Sequence, residues 1–344
     1  MEVIYGINFG SSHISICQKD LGITLKEPSL IERIFIDENK YSYGLVGYEA
    51  KNLLLNKTNN DSIVISPIKD GVIARDIDGV GKEENKKALT ILLSKLYKKV
   101  MPKTILKPKT HFYVLAECGL SVQEYNEFRE VCYKVGADIV TFVPSPLCAI
   151  YGMGLEKSAL NYFCMLDLGA DNVNIYICGK DNVIDGISLS NYSGNRISEM
   201  IDLHTRSQDN LALDQKSIED IKVNILSLAK TDTAECVVQG KSLLTGMIEE
   251  HKYTSRDFYN LIEYYFQKYA EETIKLIQTN RSYIYSIKDN KVIVYGGGAG
   301  YTGVKEFLKE RLKFDVNICT TQDIALVGLT KLFNDGKLLK KITS

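Results

Sequence analysis

Three glycine-rich segments hold the residues whose types and spacing suit chemistry. They are Gly6-Ile7-Asn8-Phe9-Gly10-Ser11-Ser12, Asp167-Leu168-Gly169-Ala170-Asp171 and Gly296-Gly297-Gly298-Ala299-Gly300. Each follows an apolar run that reads as a strand: Val3 to Phe9, Phe163 to Leu168 and Val292 to Tyr295. A glycine turn after a strand presents main-chain N–H groups, and with no Cβ in the way a phosphate oxygen comes close. A single turn of this kind equally well just reverses a hairpin, and that reading stays open for Gly10 and Gly169 taken alone. Three of them, in this order and spacing, favour a phosphate-bearing ligand.

The elements that must position these turns are of mixed α/β order. Ile14 to Cys17 reads as the strand returning from the first turn. Leu89, Leu92, Leu93, Leu96 and Val100 share one face of a helix predicted over 85–100. Ser121 and Glu124 form a capping box for a helix that Gly136 ends, between strands predicted around 111–116 and 138–143. An amphipathic helix is predicted over 255–277, a second from about Thr302, a strand near 314–318 and a last helix from about Gln322. Two similar βα halves, each opening with a hairpin and a glycine turn, suggest two related domains facing a cleft. The chain's 344 residues suit two domains of ordinary size. Hydrophobic residues make up 45% and charged residues 25%, the balance of a water-soluble globular chain. A net charge of −1 gives no global attraction to nucleic acid, and none is expected as a direct partner. The eight cysteines are scattered, with no CxxC pair. With no signal peptide and no apolar run of the ~18 residues a spanning helix needs, the sequence predicts a cytoplasmic protein.

At these residues a family resemblance becomes definite. The first segment resembles the first phosphate loop (GIDLGT) of the superfamily of actins, sugar kinases and seventy-kilodalton heat-shock chaperones. Asp167 to Asp171 resembles its second phosphate loop, and Gly296 to Gly300 its adenosine loop. Val46-Gly47-Tyr48-Glu49-Ala50-Lys51 and Ser66-Pro67-Ile68-Lys69-Asp70-Gly71-Val72-Ile73-Ala74 are similar to MreB, the bacterial actin. So are Pro146 to Gly152, Ser193-Gly194-Asn195-Arg196 and Glu219-Asp220-Ile221-Lys222. The resemblance implies an α/β, actin-like fold: two related RNase H-like domains around a nucleotide cleft, each with a small inserted subdomain. Domain I would take 1–153 and 320–344, with its insert at about 33–66; domain II would take 154–319, with its insert at about 190–250. ATP or ADP with Mg²⁺ would be held by Asn8, Gly10, Ser11, Ser12, Gly169, Ala170, Asp171, Gly194, Gly296, Gly297, Gly298 and Ala299. Glu219 and Lys222 would approach the ribose and base, although an exposed helical face explains them equally well. Asp167 would organise the Mg²⁺ shell through water, beside Asn8.

Two departures fall on the chemistry. Asn8 stands where the pattern has Asp and brings no negative charge to the cation. Ser145 stands where the family has the Glu or Gln that orients the attacking water, and its side chain is too short to reach that water. Losing such a group costs ~10²–10⁴-fold in rate, so the expectation is a weak or impaired ATPase. The competing reading lets Asn174 or Asp171 take over the water. This pattern resembles the divergent MreB paralogues of wall-less mollicutes of the Spiroplasma type. The implied function is a cytoskeletal filament for cell shape or motility, self-assembled, with other MreB paralogues as candidate partners. A ParM-like plasmid-segregation filament and a monomeric kinase or chaperone-like switch are the alternatives. The segment Thr104 to Lys109 resembles a membrane loop, with Ile105 and Leu106 as inserting residues at the inner face of the cell membrane. A hairpin covering a neighbouring core explains that pair as well. His13, His111, His204 and His251 show no ligand spacing, and Tyr259, Tyr264, Tyr265, Phe266 and Tyr269 read as packing.

Overall fold

A computed structural model describes residues 2–37, 40–55, 61–102, 108–117, 119–158, 161–284 and 291–343. The chain divides into two compact units: Met1–Ala159, Lys180–Val183 and Asp323–Ser344 form the first, and Leu160–Gly179 and Ile184–Gln322 the second.

In the first unit β1 (Glu2–Phe9), β2 (His13–Gln18) and β3 (Gly22–Pro28) form an antiparallel meander. The chain then leaves the sheet for an insertion of β4 (Ile31–Asp37), β5 (Lys40–Val46), α1 (Tyr48–Leu55) and β6 (Ser62–Ile65), with β4 between the other two strands. Two short hairpins follow, β7 (Ile68–Lys69) with β8 (Val72–Ile73) and β9 (Asp76–Ile77) with β10 (Val80–Gly81). Helix α2 (Lys82–Val100) buries Leu89, Leu92, Leu93 and Leu96 in the core of this unit. Strands β11 (Lys109–Ala116) and β12 (Ile139–Pro144) add in parallel, so the sheet runs β3-β2-β1-β11-β12. Tyr5 and Ile7 are fully buried, as a central strand covered on both faces requires. Between β11 and β12 lies α3 (Val122–Val135). Ser121 and Glu124 cap it reciprocally, and Gly136, at φ 116°, ends it. Helix α4 (Ser145–Gly152) closes this stretch.

The second unit repeats the plan. Strands β13 (Tyr162–Leu168), β14 (Val173–Gly179) and β15 (Val183–Leu189) form the meander. The insertion carries α5 (Gly194–Gln208), β16 (Leu211–Leu213), α6 (Gln215–Asn224), β17 (Glu235–Ser242) and β18 (Ile248–Thr254). After α7 (Tyr259–Thr279) and α8 (Arg281–Ile284), β19 (Lys291–Tyr295) joins β13 in parallel. Helix α9 (Val304–Leu312) leads to β20 (Asp315–Ile318), giving the order β15-β14-β13-β19-β20. The last helices, α10 (Ile324–Leu332) and α11 (Gly336–Thr343), belong to the first unit. There Gly328 of α10 lies directly on the Cys148 carbonyl of α4, a spacing that excludes any side chain.

Helix starts differ from the sequence expectation for local reasons. The helix predicted from 255 begins at Tyr259, because Thr254 N donates to Asp257 Oδ2 at 2.6 Å and Ser255 N to Ala234 O, which close a turn first. Gly303 (φ 81°) delays α9 to Val304, and Asp323 (φ 50°) delays α10 to Ile324. Ile105 and Leu106 lie outside the described residues. Among the described residues no helix is long and apolar enough to cross a membrane.

Candidate functional site

Parallel strands put the loops that follow them on one edge of a sheet, the edge where α/β folds place ligands. In the second unit those are the loops after β13 and β19. Register sets Asp167 opposite Tyr295, so Gly169 and Gly296 leave the sheet side by side. Across the hairpin Asp167 pairs with Asn174, and their side chains therefore share a face.

The hairpin at Gly169 is tight. Gly169 N donates to Asn172 O at 3.0 Å, and a Cβ on Gly169 would lie 2.6 Å from that oxygen. Its carbonyls are taken by the first amides of α5: Gly194 N donates to Gly169 O at 3.1 Å and Asn195 N to Ala170 O at 2.7 Å. The Asn195 amide nitrogen also donates to Asp171 Oδ1 and holds that carboxylate in place. A Cβ on Gly194 would come within 3.3 Å of Gly169 O, so glycine lets the helix end sit on the hairpin. The positive end of α5 thus faces the turn.

Gly296 has φ 91°, and a Cβ there would lie 2.7 Å from both Asp167 Oδ1 and Leu168 O. Its glycine is needed to pack this turn over the end of β13. Gly298 leans on Leu168 in the same way, with 3.1 Å to that side chain, and Ala299 is buried. At Gly297, as at Gly300, a side chain would meet nothing within 4 Å, so these are the members of the turn with room beside them. The stretch just beyond is tied to the exit of α6: Leu228 N donates to Thr302 O at 2.8 Å, and Ser227 bridges Thr302. On α6, Lys222 and Glu219 form an ion pair of 3.2 Å. The Tyr301 hydroxyl is held well above its ordinary pKa, first by burial and then by the Glu219 charge, which places that carboxylate near the glycine turn.

In the first unit the same edge carries the loops after β1 and β12. A Cβ on Gly10 would lie 2.7 Å from His13 O. Serines grip this hairpin: Ser29 Oγ donates to Gly10 O, Ser29 N to Ser12 O at 3.0 Å, and Ser66 Oγ lies 3.2 Å from Ser11 O. Asn8 is the next-to-last residue of β1, opposite Ser15. Ser145 is buried as the first residue of α4, directly after β12.

The family model of the MreB/Mbl protein matches residues 3–341. The chain belongs to the MreB/Mbl family. Among its relatives, the cell shape-determining protein Mbl of Bacillus subtilis is 24% identical over 340 residues, 98% of this chain and 97% of that one. The cell shape-determining protein MreB of Pasteurella multocida is 26% identical over 75% of this chain and 71% of its own. The fold matches the crystal structure of MreB5 of Spiroplasma citri bound to AMPPNP, with a TM-score of 0.86, 22% identity and 99% and 98% of the two chains covered. It also matches the MamK double helical filament, with a TM-score of 0.76, 16% identity and coverage of 97% and 99%. The fold is therefore actin-like.

Within this MreB/Mbl chain, the second unit brings together Asp167, Asn174, Gly169, Ala170, Asp171, Gly194 and Gly296 to Ala299. Asn8, Gly10, Ser11, Ser12 and Ser145 occupy one edge of the first sheet. Sequence reasoning did not single out Ser29, Ser66, Asn195 or Tyr301 as site residues. Asn195 and Ser66 lie inside segments quoted for the family resemblance and Tyr301 adjoins the Gly296–Gly300 segment, a usable signal. Ser29 acts from a distant turn, and no local pattern marks it.

Proposed function

We propose that this MreB/Mbl chain is a nucleotide-binding bacterial actin that polymerises into cytoskeletal filaments and hydrolyses ATP slowly. The observation that carries the reading is the second hairpin. Its carbonyls are taken by the first amides of α5, and the Gly296–Gly300 turn is packed beside it, which leaves an amide-lined, electropositive edge suited to phosphate. Ala170 and Asp171 are assigned to the phosphates, and Gly297 with Glu219 and Lys222 to the nucleoside. Asn8, Gly10, Ser11 and Ser12 take the phosphate tail by family pattern. Gly169, Gly194, Gly296 and Gly298 act by shaping these surfaces. The ligands of the Spiroplasma relative's structures, AMPPNP and ADP, support the nucleotide class, and the MamK filament supports self-assembly.

A hard cation such as Mg²⁺ fits the oxygen donors of Asp167 and Asp171. When bound, it neutralises phosphate charge. Ser145 offers a hydroxyl where a longer side chain would position water, so turnover is expected ~10²–10⁴-fold below that of a chain with Glu there. Membership of the MreB/Mbl family favours a role in cell shape or motility over plasmid segregation or a monomeric switch. Ile105 and Leu106 are proposed to touch the inner face of the membrane, and Ile105→Ser/Leu106→Ser should reduce pelleting with anionic liposomes. Calorimetry with magnesium ATP, phosphate release and electron microscopy test the central reading. Uptake, filaments, and faster release by Ser145→Glu are expected; no uptake at millimolar nucleotide would overturn it.

A further inference from the structure

We propose that His13 is a positioning residue of the first hairpin: it sets the direction of the Ser12 hydroxyl, so that the hairpin holds a phosphate tail more tightly when the imidazole is protonated. This role rests on the assignment of Ser12 to the phosphate tail. Ser12 Oγ lies 2.8 Å from His13 Nδ1. At that distance one hydrogen lies between the two atoms, either the hydroxyl's or the ring's. With Nδ1 bare, Ser12 donates its only hydrogen to the ring and turns its lone pairs outward, where they repel a phosphate oxygen. With a hydrogen on Nδ1, the ring donates to Oγ, and the hydroxyl hydrogen swings round to donate to phosphate. A neutral imidazole exists in either form, whereas an imidazolium carries both ring hydrogens and allows only the second. Protonation therefore frees the Ser12 donor and adds a positive charge beside the phosphate in one step.

The backbone around this pair is fixed. Ser29 takes the carbonyls on either side of Ser11, its hydroxyl donating to Gly10 O and its N–H to Ser12 O at 3.0 Å, so Ser12 adjusts only about its side-chain bonds. The second hairpin has the matching arrangement without the proton. Asp171 stands two residues after Gly169, as Ser12 does after Gly10, and is held by the Asn195 amide, a group that does not titrate. His13 opens β2, where strand alternation puts it on the face of Ser15. On that face Pro28 stands opposite His13, Lys26 opposite Ser15 on β3, and Asn8 opposite Ser15 on β1. From the start of α10, Asp323 pairs with Lys26 at 2.8 Å and accepts from Ser15 Oγ at 3.1 Å. Glu27 stands opposite Ile14, on the other face, and is tied to Lys99. The charges that β3 and α10 bring to the His13 face are thus one opposed pair.

The test is calorimetry of the full chain with magnesium ADP across the range, about pH 5 to 8, in which imidazoles change charge. The terminal phosphate of the nucleotide also gains a proton there, so wild type is compared at each pH with His13→Asn, whose amide does not titrate. At pH ~6 wild type should bind about tenfold tighter than the variant, and at pH ~8 within about twofold. Ser12→Ala should remove most of the advantage at low pH, so the double variant loses less than the two single losses added together. Reciprocally, NMR of the assigned His13 ring in wild type should show its proton affinity raised about tenfold by nucleotide, a readout that needs no variant. An equal ratio of wild-type to variant affinity at both pH values, additive losses, or a His13 titration unmoved by nucleotide overturns the proposal while nucleotide binding itself stands. No uptake by wild type at millimolar nucleotide removes the nucleotide reading, and this role of His13 with it.

Discussion

Both five-stranded sheets turn their first hairpin on a glycine whose missing side chain would lie against the carbonyl oxygen three residues on. Gly10 faces His13 O at 2.7 Å, and Gly169 faces Asn172 O at 2.6 Å. The turns are alike, but different groups hold them. The first is gripped by serine hydroxyls and one amide reaching from distant turns, while the second is gripped by the main-chain start of a fifteen-residue helix. A hydroxyl is lost by one substitution and adds only a local dipole. A helix terminus persists through most side-chain changes and brings a lasting positive end to the site. The second hairpin is also roofed by the Gly296 turn. It is thus the preorganised half of the molecule, and the first is the half that single substitutions retune.

The largest expected effect falls on that roof. Gly296→Ala puts a side chain both at φ 91° and against Asp167 and Leu168, and should cost roughly 2–4 kcal/mol in urea denaturation. Gly297→Ala, with open space around it, should cost less than about 1 kcal/mol while lowering nucleotide affinity. Equal losses in the two variants would break the distinction between packing glycine and ligand-facing glycine. Next come the two grips. Ser29→Ala leaves the Gly10 carbonyl without its hydroxyl and should cost about 1–2 kcal/mol. Asn195→Ala frees the Asp171 carboxylate but keeps the helix amides on the hairpin, so calorimetry should show weaker nucleotide binding with stability changed by only about 1 kcal/mol. A stability loss larger than that of Ser29→Ala would reverse the ranking of the two hairpins. Away from either turn, Ser121→Ala removes one half of a capping box and should cost about 1 kcal/mol with nucleotide affinity unchanged.

The smallest effect is on pH dependence. His111, half-buried in β11 and stacked on Tyr113 at 4.1 Å, has its pKa lowered chiefly by burial. The unfolded chain therefore takes up a proton at a higher pH than the folded one. Stability should fall as pH drops below the unfolded value of ~6.5 and level off once the folded group is protonated too. His111→Gln should flatten that part of the curve in denaturation at stepped pH, and an unchanged slope would remove His111 as its source.

The fold class was legible because its signals are local. Apolar runs ending in glycine, the Ser121–Glu124 box and the leucine face of α2 are each set by residues within a few positions of one another. The same locality misplaced the start of α7, since the Asp257 side chain and the distant Ala234 carbonyl hold 254–258 in a turn. By itself, then, the sequence determined that two glycine hairpins and a glycine-rich turn each follow a strand, and that this is an actin-like chain. The tertiary structure alone decided what each glycine is for. Gly296 is a glycine because β13 passes beneath it, Gly194 because a hairpin carbonyl does, and Gly297 faces open space. Such roles depend on which backbone lies against a missing Cβ, and Gly296 and Asp167, more than a hundred positions apart in the chain, meet only once β19 has paired with β13.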